Sequence, residues 1–115
     1  MPNRREPRVS KPRTKPIEKT QTRRVPPFHV VLENDDHHTV EFVIDVLRKV
    51  LSAPLERAVQ LTMEAHHSGR AIIWTGPKEV AELKVEQVRC FHETRAWDGT
   101  KLGPLGCTIE PAPAP

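Results

Sequence analysis

Two adjacent prolines, Pro26-Pro27, divide this chain into parts of opposite character, and only the second part can fold. Residues 1–27 carry nine Lys/Arg against Glu6 and Glu18, a net charge of +7, together with six of the twelve prolines. Val9, Ile17 and Val25 are the large aliphatics of this stretch, too few to offset the entropy of ordering its backbone. It is expected to be a disordered, partly extended N-terminal extension. Residues 28–115 reverse the sign, with nine Lys/Arg against thirteen Asp/Glu, a net −4. The overall charge of +3 therefore describes neither part.

What remains after the extension suffices for one small domain. Only Phe28, Phe42, Trp74, Phe91 and Trp97 are aromatic, so the core must be mostly aliphatic. No apolar run approaches the roughly 18 residues of a membrane span, and no apolar stretch follows the basic start as in a secretory signal. Cys90 and Cys107 are too few for a disulfide scaffold and too far apart for a close metal-type pair. A soluble, cytoplasmic monomer is expected.

The folded part opens with Phe28-His29-Val30-Val31-Leu32, apolar, β-branched and short enough for a strand. Glu33-Asn34-Asp35-Asp36 interrupts it with residues that favour turns and caps. Val40, Val43, Ile44, Leu47, Val50 and Leu51 then recur every three or four positions, predicting a helix from about Thr39 to Leu51. Pro54 starts a second helix, because proline is tolerated in a first turn. Its stripe of Leu55, Ala58, Val59, Thr62, Met63, Ala65 and His66 stops at Ser68-Gly69. Ala71-Ile72-Ile73-Trp74 reads as a strand, and Gly76-Pro77 opens a third helix with Val80, Ala81, Val85, Val88 and Phe91 inward. Asp98-Gly99 and Gly103-Pro104 mark a long loop. A last strand spans Leu105 to Glu110, leaving 111–115 as a disordered Pro-Ala tail. The order strand-helix-helix-strand-helix-strand predicts an α+β fold, a small sheet of about three strands covered on one face by three helices.

Catalysis finds little support. No Gly-rich phosphate loop follows a strand, and no Gly-x-Ser-x-Gly elbow occurs. Asp35, Asp36 and His66 can form an acid–base set, but nothing beside them resembles a nucleophile. His37-His38 and His66-His67 with Asp35 and Asp36 offer metal donors, yet neighbours on a helix point about 100° apart, so His66 and His67 would not both face one ion, and exposed histidines near helix ends are the plainer reading. No enzyme activity, metal or cofactor is expected. Nor is nucleic acid: the basic extension has no aromatic residue to stack on bases, and the folded part is acidic.

A more specific constellation remains. Asn34, Asp35 and Asp36 sit at a strand-to-helix junction, and antiparallel packing of the first two helices would bring His66 beside them. A carboxylate, an amide oxygen and an imidazole around one point suit a small cation with several N–H donors, such as an α-ammonium group. That group has a pKa near 7.7–8.0 and is mostly charged at neutral pH. Val40, Val43, Thr62, Ala65 and Leu105 would wall an adjacent apolar cavity. The same residues also suit a plainer role, with Asn34 and Asp35 capping a turn and His66 ending a helix.

The stretch Val30-Val31-Leu32-Glu33-Asn34-Asp35-Asp36 with Glu41-Phe42-Val43 resembles the signature of the ClpS adaptors of the bacterial Clp protease. Glu56-Arg57-Ala58, His66 with Gly69-Arg70-Ala71, Glu79-Val80-Ala81-Glu82 with Lys84-Val85, and the closing Leu105, Cys107-Thr108 and Glu110 are similar to it too. The resemblance runs in order from about residue 28 to 110. It implies an adaptor that captures substrates by a large hydrophobic N-terminal residue (Leu, Phe, Tyr or Trp) and hands them to a Clp-type AAA+ unfoldase. By the same resemblance Asn34, Asp35 and His66 contact the α-amino group, with Asp36 at the rim. His38, Thr39, Val40, Val43, Thr62, Ala65 and Leu105 form the side-chain pocket, and Glu79 and Lys84 meet the unfoldase's N-terminal domain. The basic extension resembles the family's delivery arm.

This chain departs from the family where it has His38-Thr39-Val40 for a common Thr-Pro-Met, and Thr62 and Ala65 for Met and Val. A differently shaped, roomier pocket with a changed ranking of Leu, Phe, Tyr and Trp is expected. His66 would serve as a neutral acceptor, and histidine charges below about pH 6.5, so affinity is expected to fall on acidification. A rival reading is a ClpS-like regulator that docks on the unfoldase without binding such N-termini. More distant is a basic-tailed accessory protein of nucleic acids.

Overall fold

A computed structural model describes residues 25–113. The expected extension therefore lies, up to residue 24, outside the described residues, as do Ala114 and Pro115. Six elements follow in the expected order: β1 (Phe28–Glu33), α1 (Val40–Leu51), α2 (Leu55–Ser68), β2 (Arg70–Gly76), α3 (Lys78–Arg89) and β3 (Cys107–Pro111).

The three strands form one antiparallel sheet in the order β2-β1-β3. As the central strand, β1 has neighbours on both sides, which is why Val30, Val31 and Leu32 are all buried although alternate side chains point to opposite faces. Val30 and Leu32 join the core under the helices. Val31 faces the other way and is still only 1% exposed. Arg70 on β2 and Glu110 on β3 form a 2.7 Å ion pair whose course crosses β1 on that outer face. The β1–β2 register slips between Val30↔Trp74 and Val31↔Ile72, so Ile73 is the extra residue of a bulge and still reaches the core. Past the bulge Trp74 folds over Gly76, where a Cβ would lie 2.3 Å from the indole ring. A larger residue there would require the indole to shift.

The helix boundaries have local causes. The Thr39 hydroxyl accepts from the Phe42 amide at 3.1 Å and caps α1. Glu41 in the first turn and Arg48 and Lys49 in the last complement the helix dipole. Pro54 and Pro77 stand at the N-caps of α2 and α3, one position before the first turn. Gly69 ends α2 at φ 90°, its N–H donating to the Ala65 carbonyl at 2.9 Å. Helix α2 lies along β2, α3 lies along β1 and β3, and α1 packs against both helices. The core between them is aliphatic: Val46, Leu47, Ala58, Leu61, Ala65, Ala81, Val85 and Val88 meet Val30, Leu32, Ala71 and Ile73.

Four details differ from the sequence reading. Phe91 lies two residues beyond α3, although it still packs half-buried on the core. The last strand starts at Cys107 and not at Leu105, although the Glu33 amide still donates to the Gly106 carbonyl at 2.9 Å in continuation of the β1–β3 register. Pro111 belongs to β3, and the buried Ala112 donates its N–H to Pro27 at 2.9 Å. These two residues are part of the fold, not of a free tail. The expected long loop contains a small hairpin, with Thr94 opposite Lys101 and amide bonds from Arg95 to Thr100 and from Leu102 to Glu93, each 2.8 Å. Arg95 and Asp98 close its tip by a 2.9 Å ion pair.

Candidate functional site

The end of β1, the start of α1 and the end of α2 meet because the Asn34 amide donates to the Gly69 carbonyl at 3.0 Å. That bond joins the turn after β1 to the cap of α2, and a pocket of about 390 Å³ including its open mouth lies between them. Asn34, Asp35, His38, Val40, Val43, Thr62, Ala65, His66 and Leu105 all line it, as the sequence reading expected. Leu32 and Glu33 line it as well. In the sequence Leu32 reads as the close of a strand and Glu33 as the first residue of the turn, so neither stands out as a pocket residue.

Two expected residues stand outside this lining. Asp36 is exposed on the turn beside it. Thr39 is turned away by its capping role, its hydroxyl donating to the Glu93 carboxylate at 2.7 Å while its amide donates to the other oxygen at 3.0 Å.

Asp35 organises the polar side. One carboxylate oxygen accepts from the His37 amide at 3.0 Å and the His38 amide at 3.2 Å. The His38 ring Nδ1 lies 2.9 Å from the same oxygen and 3.2 Å from the other. Partial burial alone would push the Asp35 carboxyl up, but the His38 ring and the two amides outweigh it and hold it below the usual aspartate value. Asp35 is therefore an anion at neutral pH with room on one oxygen for a further donor. Opposite it His66 is exposed on the last turn of α2, its ring edge-on to His67.

The other wall is apolar. Leu105 and Ala65 are buried, and Val40 and Val43 reach it from the first turn of α1. Thr62 adds no free donor, since its hydroxyl donates back to the Ala58 carbonyl at 2.8 Å. The His38 Nε2 lies 2.8 Å from the carbonyl of Gly103, two residues before Leu105. Glu93 and Gly103 thus fix the site from 54 and 65 residues away along the chain. No local pattern in the sequence announces either.

Among the described residues, no group of three or more His, Cys, Asp or Glu side chains is arranged to hold a metal ion. No described helix is long and apolar enough to cross a membrane.

The third helix carries the remaining expected residues. At about 100° per residue, Glu79, Leu83, Val80 and Lys84 follow one another around one side of α3. Val80 and Leu83 are 38% and 52% exposed there. Glu79 is exposed at one margin, and Lys84 at the other holds its Nζ 5.3 Å from the Trp74 ring centre. An apolar pair is bracketed by opposite charges.

Comparison with known proteins agrees with this architecture. The family model described as ATP-dependent Clp protease adaptor protein ClpS matches residues 23–108. An ATP-dependent Clp protease adapter protein ClpS from Vibrio cholerae serotype O1 is 41% identical over 98 residues, covering 84% of this chain and 87% of that protein. Its counterpart from Pectobacterium carotovorum is 45% identical over 85 residues, 74% of each chain. Among solved structures, Agrobacterium tumefaciens ClpS2 bound to L-phenylalaninamide superposes with a TM-score of 0.63 at 28% identity, over 76% of this chain and 98% of that one. With the family model spanning every element from β1 into β3, the chain belongs to the ClpS family of Clp protease adaptors.

Proposed function

We propose that this protein is an N-degron adaptor, which takes the N-terminal residue of a substrate into the pocket beside Asp35 and presents that substrate to a Clp-type AAA+ unfoldase. The observation that carries this reading is the meeting of an anionic mouth (Glu33, Asn34, Asp35, His66) with an apolar wall (Val40, Val43, Ala65, Leu105) in one cavity. L-phenylalaninamide, the ligand of the Agrobacterium relative, joins a free α-amino group to a large apolar side chain and has both halves of that match. Burying such a side chain contributes about 1.5–3 kcal/mol. Each charge-assisted bond to the ammonium adds roughly 1.5–3 kcal/mol. A mid-chain amide has no charge and at most one N–H, so it offers Asp35 a weaker additional partner than an ammonium group does. The protein acts by binding and makes or breaks no covalent bond itself.

The patch of Glu79, Val80, Leu83 and Lys84 is the surface offered to the unfoldase's N-terminal domain, and the basic segment before residue 25 is the part the unfoldase engages. A wall of Val40, Thr62 and Ala65 in place of methionine and valine sets the ranking among Leu, Phe, Tyr and Trp. Binding of Phe- and Leu-led peptides with free and with acetylated N-termini tests the proposal. Free termini should bind, and acetylation should weaken binding at least about tenfold, the loss of one charge-assisted bond. Failure of both forms while the unfoldase still binds would favour the regulator. Salt-sensitive binding of nucleic acid in their place would favour the accessory protein.

A further inference from the structure

His38 is held in a way that a simple wall residue does not need. Its side chain is only 4% exposed, and its ring stacks on Phe42 with centres 5.3 Å apart and planes 19° apart. Both ring nitrogens face oxygen: Nδ1 faces the Asp35 carboxylate at 2.9 Å and Nε2 faces the Gly103 carbonyl at 2.8 Å. A carbonyl oxygen and an ionised carboxylate only accept, whereas a neutral imidazole has one N–H. Both contacts are satisfied together by a ring protonated on both nitrogens. With one proton, one of the two contacts becomes acceptor against acceptor.

Most of the ionisable groups around this ring are acidic. Asp35 faces it from its own turn, and Glu33 stands on the same pocket at the end of β1. Glu93 binds the adjacent Thr39 from the hairpin. His66, across the cavity on α2, is the one opposing titratable group on the pocket lining. The far side of the contact is the segment that leads into Leu105. Gly106 beyond it accepts from the Glu33 amide. The hairpin has a second anchor, Glu93 on Thr39, which does not depend on the ring.

We propose that His38 is a positioning residue whose doubly protonated ring clasps Asp35 and Gly103 at once, so that the pocket wall carrying Leu105 is seated while that ring is charged and loosens when it loses a proton. The clasp deepens the reading of this cavity as the N-terminus pocket and rests on it for its functional consequence. It makes the affinity of this adaptor depend on pH through a residue that touches the carboxylate and the wall together.

Nuclear magnetic resonance of the full chain reads the clasp directly, through the His38 ring nitrogens and the exchange of the Glu33 amide. Between about pH 5.5 and about pH 8 the ring should pass from two N–H groups to one. Corrected for intrinsic exchange, Glu33 protection should fall about tenfold with it, while the Leu102 amide inside the hairpin keeps its protection. Phenylalaninamide affinity is measured over the same range for wild type and His38→Thr. The ligand amine titrates near 7.7–8.0 and contributes equally to both, so the ratio of the two affinities decides. Wild type should lose about tenfold relative to the variant as pH rises, the factor one charge-assisted bond carries. A ring with a single N–H while Glu33 is protected, or identical pH profiles for the two proteins, would overturn the proposal. If phenylalaninamide binds at no pH, the ligand reading fails, and the clasp still stands or falls on the ring protons and Glu33.

Discussion

Asp35 shows how much of this site depends on one side chain. Its carboxylate receives two backbone amides and the His38 ring, and these bonds lower its pKa against the opposing effect of burial. A carboxyl whose folded pKa lies below the unfolded value contributes stability that is fully present above about pH 3.9 and is lost as pH falls through the folded value. Asp35→Asn should therefore melt below wild type at neutral pH, with the difference closing only as pH falls below about 3.9. Circular-dichroism melts across that range check the prediction. Parallel curves would mean that the carboxylate is not held by these partners. The sequence marks Asp35 as a turn former and cannot say which ring it binds, since His37 and His38 stand two and three residues away and both are within reach of a turn.

At the scale of elements, the short segment His38-Thr39 joins three units. Thr39 caps α1 and, through Glu93, anchors the hairpin to the start of that helix. Thr39→Ala removes both hydroxyl bonds and should cost about 1–2 kcal/mol in urea unfolding, the upper part of the range for N-caps. Thr39→Ser keeps the hydroxyl and should recover most of the loss. Equal destabilisation by the two variants would place the effect in the methyl group. The helix itself was legible from its apolar spacing. The hairpin was not, because its cross-links join residues whose types are common in any polar loop, and closure of Thr94 on Lys101 follows from backbone pairing.

The whole molecule separates two surfaces. The pocket opens where β1, α1 and α2 converge, whereas the Val80–Leu83 patch lies on α3. Charge placed at the centre of that patch should act on the unfoldase. Leu83→Asp is expected to weaken binding of the isolated unfoldase N-terminal domain about 5- to 30-fold, as for a contact residue of about 1–2 kcal/mol. Phenylalaninamide binding and the melting temperature serve as the check on folding. Unchanged domain binding would move the docking surface elsewhere. Leu83 is half exposed, so the substitution opens no cavity in the core.

The sequence by itself determined the order of elements, the aliphatic core and the cluster of residues at the junction. Those follow from local causes: the period of apolar residues, the caps at Thr39 and Gly69, and the prolines that start helices. Only the tertiary structure decided which of them share a cavity. Thr39 is drawn away by Glu93, Leu105 is carried in by a segment that Gly103 ties to His38, and Ala112 is held in the fold by Pro27. Each of these rests on a hydrogen bond between residues distant along the chain. Such a bond depends on where the packed elements bring its two ends, and that is a property of the assembled core and not of any stretch of sequence.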